Sequence, residues 1–382
     1  MSIIDAQNRV WMLAPDIGEE EQIFVKEAFE SNWIAPLGTN VDKFEEELSN
    51  HFHNYDVHIV SSGTAAIHLS LKALNIKPND VVLCQSFTFA GSAFPILYEK
   101  AIPVFIDSEK ETWNLDPSLL EDAILYYQRK NIKPAAIIAV HLYGMPAKMN
   151  EIIALSLKYD IPVIEDAAEA MGSVYEDSNC GTLGDIGIVS FNGNKIITTS
   201  GGGAIISNDF EYINKARFYS NGSRDNLHYY SHSDIGYNYR MSNVLAGIGR
   251  GQLLNLDKKV EVKRFIYNTY KAILGEVEGI SFLDEPKNSF CNRWLTNVTM
   301  SNKLQQQIDI DKIKKRFDKL NIETRFLWNP MHLQPVFNGS KYFGGDVSES
   351  LFKSGICLPS TTTMTMEEVA EVANLLKEMF YA

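Results

Sequence analysis

Val57-His-Ile-Val-Ser-Ser-Gly-Thr-Ala-Ala-Ile-His-Leu-Ser-Leu-Lys-Ala-Leu74 passes from a short apolar run, through small and hydroxylated residues, into a helix-length segment. This is the opening of a βαβ unit: a strand at Val57–Val60, a tight turn, and a helix over Ala65–Leu74. The alternation continues downstream. Val81–Cys84, Val104–Ile106, Ala135–Val140, Val163–Ile164, Ile186–Phe191 and Ala204–Ile206 are further apolar runs of strand length. Helices are predicted between them at Ser92–Tyr98, Pro117–Gln128 and Met149–Tyr159, the second announced by Asp116-Pro117, a cap followed by a first-turn proline. Apolar strands separated by helices predict a mainly parallel sheet covered on both faces, with βαβ order throughout.

The pattern changes near Leu253. A charged helix over Asp257–Glu276, strand-like pieces at Leu295–Met300 and Glu323–Leu327, and helices at Asp309–Leu320 and Met366–Phe380 predict a smaller C-terminal α+β domain. We therefore divide the chain into a large domain, 1–255, and a small domain, 256–382. A length of 382 residues fits two such domains.

Composition narrows the function. An apolar fraction of 45% supports a sizeable core, and a net charge of −13 disfavours general binding to nucleic acid or anionic membrane. Cys84, Cys180, Cys291 and Cys357 lie far apart, which argues against a disulfide framework or a structural metal site. The longest apolar runs fall well short of the ~20 residues of a membrane span. A cytoplasmic protein is expected.

Three segments carry candidate chemistry. Ser61-Ser-Gly-Thr-Ala-Ala66 joins a strand to a helix start, where free amides and the helix dipole favour an anion; alone it reads more readily as an N-cap and tight turn. Glu165-Asp166 ends an apolar strand, the position where α/β sheets bind ligands, though a helix cap explains it equally well. Lys195 lies in Phe191-Asn-Gly-Asn-Lys-Ile-Ile-Thr-Thr-Ser-Gly-Gly-Gly203. Most lysines are surface groups, but apolar and small flanks suit a buried amine able to attack a carbonyl. A phosphate cradle, a carboxylate and a lysine at one sheet edge are the partners that pyridoxal 5'-phosphate (PLP) requires.

The chain also resembles the DegT/DnrJ/EryC1/StrS family of PLP-dependent sugar aminotransferases, of the aspartate-aminotransferase fold (PLP fold type I). The resemblance rests on Asn32-Trp-Ile-Ala-Pro-Leu-Gly38, Ser62-Gly-Thr-Ala65, Ser86-Phe-Thr-Phe89, His141-Leu-Tyr-Gly144, Glu165-Asp-Ala-Ala-Glu-Ala170, Gly193-Asn-Lys195, Gly236-Tyr-Asn-Tyr-Arg240 and Met331-His332. The run Phe191–Gly203 is most similar to the branch making the 4-amino sugar of the bacillosamine pathway.

That resemblance implies the following roles. Lys195 would hold the cofactor covalently and then carry protons, while Asp166 would pair with the pyridinium nitrogen. Thr64, the Ala65 amide and Ser190 would hold the phosphate. Phe89 would stack on the ring, and Glu169, where many relatives carry glutamine, would lie near the ring hydroxyl. Asn238 would reach the phosphate of a neighbouring subunit, implying a homodimer with shared active sites. Arg240, Arg325, Trp328 and His332 match positions near a sugar-nucleotide channel, with a surface salt bridge the plainer alternative for the arginines. The Asn32–Gly38 loop would close over the sugar, and Asn329-Pro330 departs from the family's usual pair there.

The implied reaction moves an amino group from L-glutamate to C4 of a nucleotide-linked 4-keto-6-deoxy sugar. The preferred acceptor is UDP-2-acetamido-2,6-dideoxy-α-D-xylo-hexos-4-ulose. A GDP- or dTDP-linked sugar is the main alternative, and a non-catalytic binding or regulatory protein is the alternative from another class. A PLP-dependent dehydratase is disfavoured, since relatives of that kind replace the lysine with histidine.

Overall fold

The structure, a computed structural model, describes residues 9–381. Its large sheet has eight strands in the order Asp56–Val60, Gly203–Ser207, Ile186–Ser190, Val163–Asp166, Ala136–Val140, Val81–Gln85, Ile102–Ile106, Lys341–Phe343. Six of these, from Ile186–Ser190 to Lys341–Phe343, run parallel. The architecture is α/β, with the mainly parallel sheet that the sequence predicts. Almost every position of the central strands is buried, which explains their continuous apolar sequences.

One expectation is corrected. The order is not βαβ throughout, because Gly203–Ser207 pairs antiparallel with both of its neighbours. The link Phe191–Gly202 contains no helix, and a parallel connection needs a crossover, usually helical. This irregular link carries Lys195. Turning back antiparallel places Ser190 opposite Gly203, at the edge where Val60 and Asp166 also end.

Six helices among the described residues escaped the sequence reading, including Glu19–Glu30, Thr39–His51 and Asn243–Leu254. The last holds Gly247, Gly249 and Gly251, which lower helix propensity. Their missing side chains are what packing demands. A Cβ at Gly249 would strike the Phe44 ring, and one at Gly251 would come 2.6 Å from the Glu21 backbone nitrogen. Close packing against the first two helices overrides local propensity.

The C-terminal part has an antiparallel sheet in the order Ile280–Phe282, Thr296–Met300, Gly355–Leu358, Arg325–Phe326, with helices Leu256–Leu274, Ile310–Lys319 and Met366–Tyr381 around a shared core. Several pieces of chain cross the expected division at 255/256, among them Ser289–Phe290, which pairs with Val174–Tyr175. Lys341–Phe343 joins the outer edge of the large sheet beside Ile102–Ile106, and Val10 bridges to Ile322. Asp107 anchors the crossing at Lys341–Phe343 by accepting the amides of Gly345, Val347 and Ser348 at 3.0–3.2 Å.

Candidate active site

A cavity of about 300 Å³ opens at the carboxyl edge of the large sheet. Its wall includes Ser62, Gly63, Thr64, Phe89, Ser92, Asp166, Glu169, Ser190, Lys195, Trp294, Arg325 and Trp328. The three segments singled out by sequence therefore meet in one place.

The anion end is built by the helix Gly63–Ala73, capped by Ser62, whose hydroxyl accepts the Ala65 amide at 3.0 Å. The Ala65 N–H, expected at the phosphate, is engaged by this cap. Helix geometry leaves the amides of Gly63 and Thr64 as the donors facing the cavity. Glycine is needed at Gly63 because a Cβ there would lie 2.9 Å from the Ser190 Cβ. Gly203 packs equally close on the other side, where a Cβ would come within 2.7 Å of the Gly63 nitrogen.

Asp166 ends its strand buried, and no helix follows it, so the helix-cap reading fails. Its Oδ2 accepts the Ser92 hydroxyl at 2.6 Å, and Ser92 is itself 2.8 Å from Thr88 Oγ1. Its Oδ1 accepts the Ala168 amide at 3.1 Å. Burial raises the Asp166 carboxyl above its ordinary range, while the Ser92 and Ala168 hydrogen bonds pull it back. A cationic ring nitrogen would complete this half-compensated carboxylate.

Lys195 reaches the cavity with its side chain 11% exposed, and its Nζ lies 3.3 Å from Glu169 Oε1. The same ammonium sits 4.3 Å from the centroid of the Trp294 ring. Glu169 Oε2 accepts the Tyr143 amide at 2.7 Å. Burial raises the Glu169 carboxyl too, with Lys195 and the Tyr143 amide opposing it.

Glu165, the neighbour of Asp166, has a different task. It accepts the amides of Gly181, Leu183 and Gly184 at 2.6–2.9 Å and pairs with His141 Nε2 at 2.7 Å. His141 Nδ1 in turn accepts the Ala147 amide at 2.9 Å. Although Cys180 lies nearby, these bonds fill the carboxylate and both ring nitrogens, making the group a brace under the strand that presents Asp166.

Phe89, 60% exposed, stands on the cavity rim beside Trp328, with ring centroids 6.3 Å apart. Arg325 also lines the cavity, held by Glu323 at 2.7 Å. Asn238, Arg240 and His332 do not line it. Arg240 donates to Asn221 Oδ1 at 2.9 Å. His332 packs on Tyr342 and bonds Ser86 Oγ at 2.7 Å, a positioning contact at the base of the Ser86–Phe89 segment. Asn238 bridges Asn221 on the loop that Tyr237 and Tyr239 pin to His68.

Sequence reasoning missed Ser92 and Trp294. The Thr88/Ser92 pair is visible as hydroxyls four residues apart. Trp294 carries no local signal, because a tertiary approach brings it to Lys195.

The donor set fits PLP: amides and hydroxyls for a phosphate, a buried carboxylate for the ring nitrogen, and an amine beside both. The model of the DegT/DnrJ/EryC1/StrS aminotransferase family matches residues 15–377. EpsN of Bacillus subtilis (strain 168) is 49% identical over 377 residues, 98% of this chain and 96% of that protein. The GDP-perosamine synthase of Escherichia coli O157:H7 is 34% identical, covering 96% and 97%. The UDP-4-amino-4,6-dideoxy-N-acetyl-beta-L-altrosamine transaminase of Campylobacter jejuni is 37% identical over 62% of each chain. A crystal structure of a DegT DnrJ EryC1 StrS aminotransferase from Brucella abortus has a TM-score of 0.87 at 25% identity, covering 94% of this chain and 95% of its own.

Proposed function

We infer the reaction from one premise: the chain belongs to the DegT/DnrJ/EryC1/StrS aminotransferase family and is a PLP-dependent sugar aminotransferase. Its substrates are nucleotide-linked sugars. The finer reading is that it takes the amino group of L-glutamate and delivers it to C4 of a UDP-linked 2-acetamido-2,6-dideoxy-4-keto sugar. The observation that carries the chemistry is Lys195 Nζ in a cavity with Asp166, Glu169 and the Ser62–Thr64 turn.

Bound PLP supplies an electron sink that stabilises negative charge at the carbon losing a proton. The chain's residues do the rest. Gly63 and Thr64 amides with the Ser190 hydroxyl would hold the phosphate, fixing the ring's position. Asp166 would keep the ring nitrogen protonated, its two oxygens already oriented by Ser92 and Ala168. Phe89 would cover one ring face. Lys195 would hold the cofactor and carry the proton at the substrate carbon. Glu169 holds the Lys195 ammonium within reach. Arg325 presents a guanidinium suited to a diphosphate.

The Campylobacter relative favours a UDP sugar, and the resemblance of the Phe191–Gly203 run favours an amino-sugar route of the bacillosamine kind. The Escherichia coli relative favours the GDP alternative. Asn238 and Arg240 lie outside this cavity, which fits a homodimer in which each chain completes its partner's site. Among the described residues no helix is long and apolar enough to cross a membrane.

The test is a single turnover of the pyridoxamine-loaded protein with each keto sugar. Return of the lysine-bound cofactor's visible band, together with an amino-sugar nucleotide by mass, supports the UDP reading if only the UDP sugar works. Return with only the GDP or dTDP sugar overturns the acceptor and keeps the reaction.

A further inference from the structure

The segment Cys291–Leu295 comes from the C-terminal part of the chain, yet it hydrogen-bonds the backbone at Asn194 and Glu169 and lays the Trp294 ring against the Lys195 ammonium. Trp294 is fully buried, and its indole N–H donates to the Asn194 carbonyl at 2.7 Å, immediately before Lys195. Its ring lies under the Lys195 ammonium at 4.3 Å. The Trp294 amide donates to Asn292 Oδ1 at 2.8 Å, and Asn292 Nδ2 donates to the carbonyls of Glu169 and Met171 at 2.9 Å each. Gly144, at φ +85°, clears the space for Asn292, since a Cβ there would collide with its Oδ1. Lys263 closes the back of the bracket by donating to the Trp294 carbonyl at 3.1 Å.

We propose that Trp294 is a positioning residue for Lys195. The inference rests on the reading of Lys195 as the cofactor lysine. A lysine released from the cofactor is a four-carbon chain with many rotamers, and each cycle requires it to return to one atom. The ring face and the Glu169 carboxylate grip the ammonium from two sides. The indole N–H fixes the backbone from which the side chain starts. Asn292 keys Glu169 to the same tryptophan, so both halves of the grip move as one body.

The test is reloading of the cofactor-free protein with PLP, trapping with borohydride at timed intervals, and counting pyridoxyl label on the Lys195 peptide by mass. Total PLP retained and the melting temperature are measured in parallel. Trp294→Leu is expected to retain PLP through the phosphate cup but to attach it about tenfold more slowly, as displacement of a reacting group predicts. Trp294→Phe keeps a ring face without the indole N–H and is expected to fall between the two. Attachment by Trp294→Leu at the parent rate, whatever its melting temperature, overturns the proposal. If Trp294→Leu does not fold, Trp294→Phe decides: a slowed rate supports the proposal and the parent rate overturns it. Lys195→Ala separates the two readings, because label persisting there would remove Lys195 as the cofactor lysine irrespective of Trp294.

Discussion

Lys195 Nζ is 3.3 Å from one carboxylate oxygen of Glu169, whose other oxygen holds the Tyr143 amide at 2.7 Å. The glutamate is therefore fixed from behind before it meets the lysine. In Glu169→Gln the single amide oxygen must face the Tyr143 N–H, which turns the NH2 group toward Lys195, donor against donor. Because the variant leaves the Lys195 ammonium without its anion, its melting temperature should not exceed the parent's. Turnover should fall about tenfold, ~1.4 kcal/mol. Steady-state rates across pH check this, and an unchanged rate would take Glu169 out of the lysine's work.

Asp166→Asn keeps the size and the Ser92 contact but cannot balance a ring cation. Turnover should drop about a thousandfold, ~4 kcal/mol, with PLP still bound. The glutamate half-reaction, followed by absorbance in stopped flow, isolates this effect from sugar binding. Ser92→Ala removes one of the bonds that lower the Asp166 carboxyl and should give a smaller loss in the same direction.

The cup depends on two backbones in contact. Gly203→Ala would push a methyl to 2.7 Å from the Gly63 nitrogen, so one strand must shift. PLP affinity should weaken about tenfold, ~1.4 kcal/mol, in a cofactor titration. Parent affinity in this variant would show that the cup tolerates the displacement.

Lys263 is buried and donates to the carbonyls of Trp294 and Ser360. Burial lowers its amine from 10.5 to about 7. In the folded chain it loses its proton near pH 7; in the unfolded chain it keeps it to about pH 10.5. The penalty for the buried charge is complete below pH 7 and fades between pH 7 and 10.5, so this group makes the fold more stable as pH rises through that window. Lys263→Met carries no such titration. The parent's melting temperature should therefore gain a few degrees on Lys263→Met between pH 6 and pH 9. A constant difference across that range would contradict the lowered amine.

Much of this site could be read from the sequence because its parts are local. Asp116-Pro117 does cap the helix Pro117–Gln128, and Ser62 does cap Gly63–Ala73, since caps need only neighbouring residues. Contacts between distant segments could not be read that way. Nothing near Asn243 announces that its three glycines admit Phe44 and Glu21, and nothing near Trp294 announces Lys195. The bond from the Ala65 amide to Ser62 is a side-chain choice that the sequence alone does not fix. His332 matched a family position, but its neighbours Ser86 and Tyr342 place it behind the cavity wall.

The strand Lys341–Phe343 beside Ile102–Ile106 bears on how the protein can be dissected. A fragment ending at 255 would lack it and expose Ile102–Ile106 as a bare row of amides and carbonyls ready to pair with another copy. Asp107 would lose its three amide donors at the same stroke. Such a fragment should self-associate on expression, whereas one rejoined to 341–348 through a short linker should remain dispersed. The edge of the large sheet is sealed by a strand made long after the one it covers.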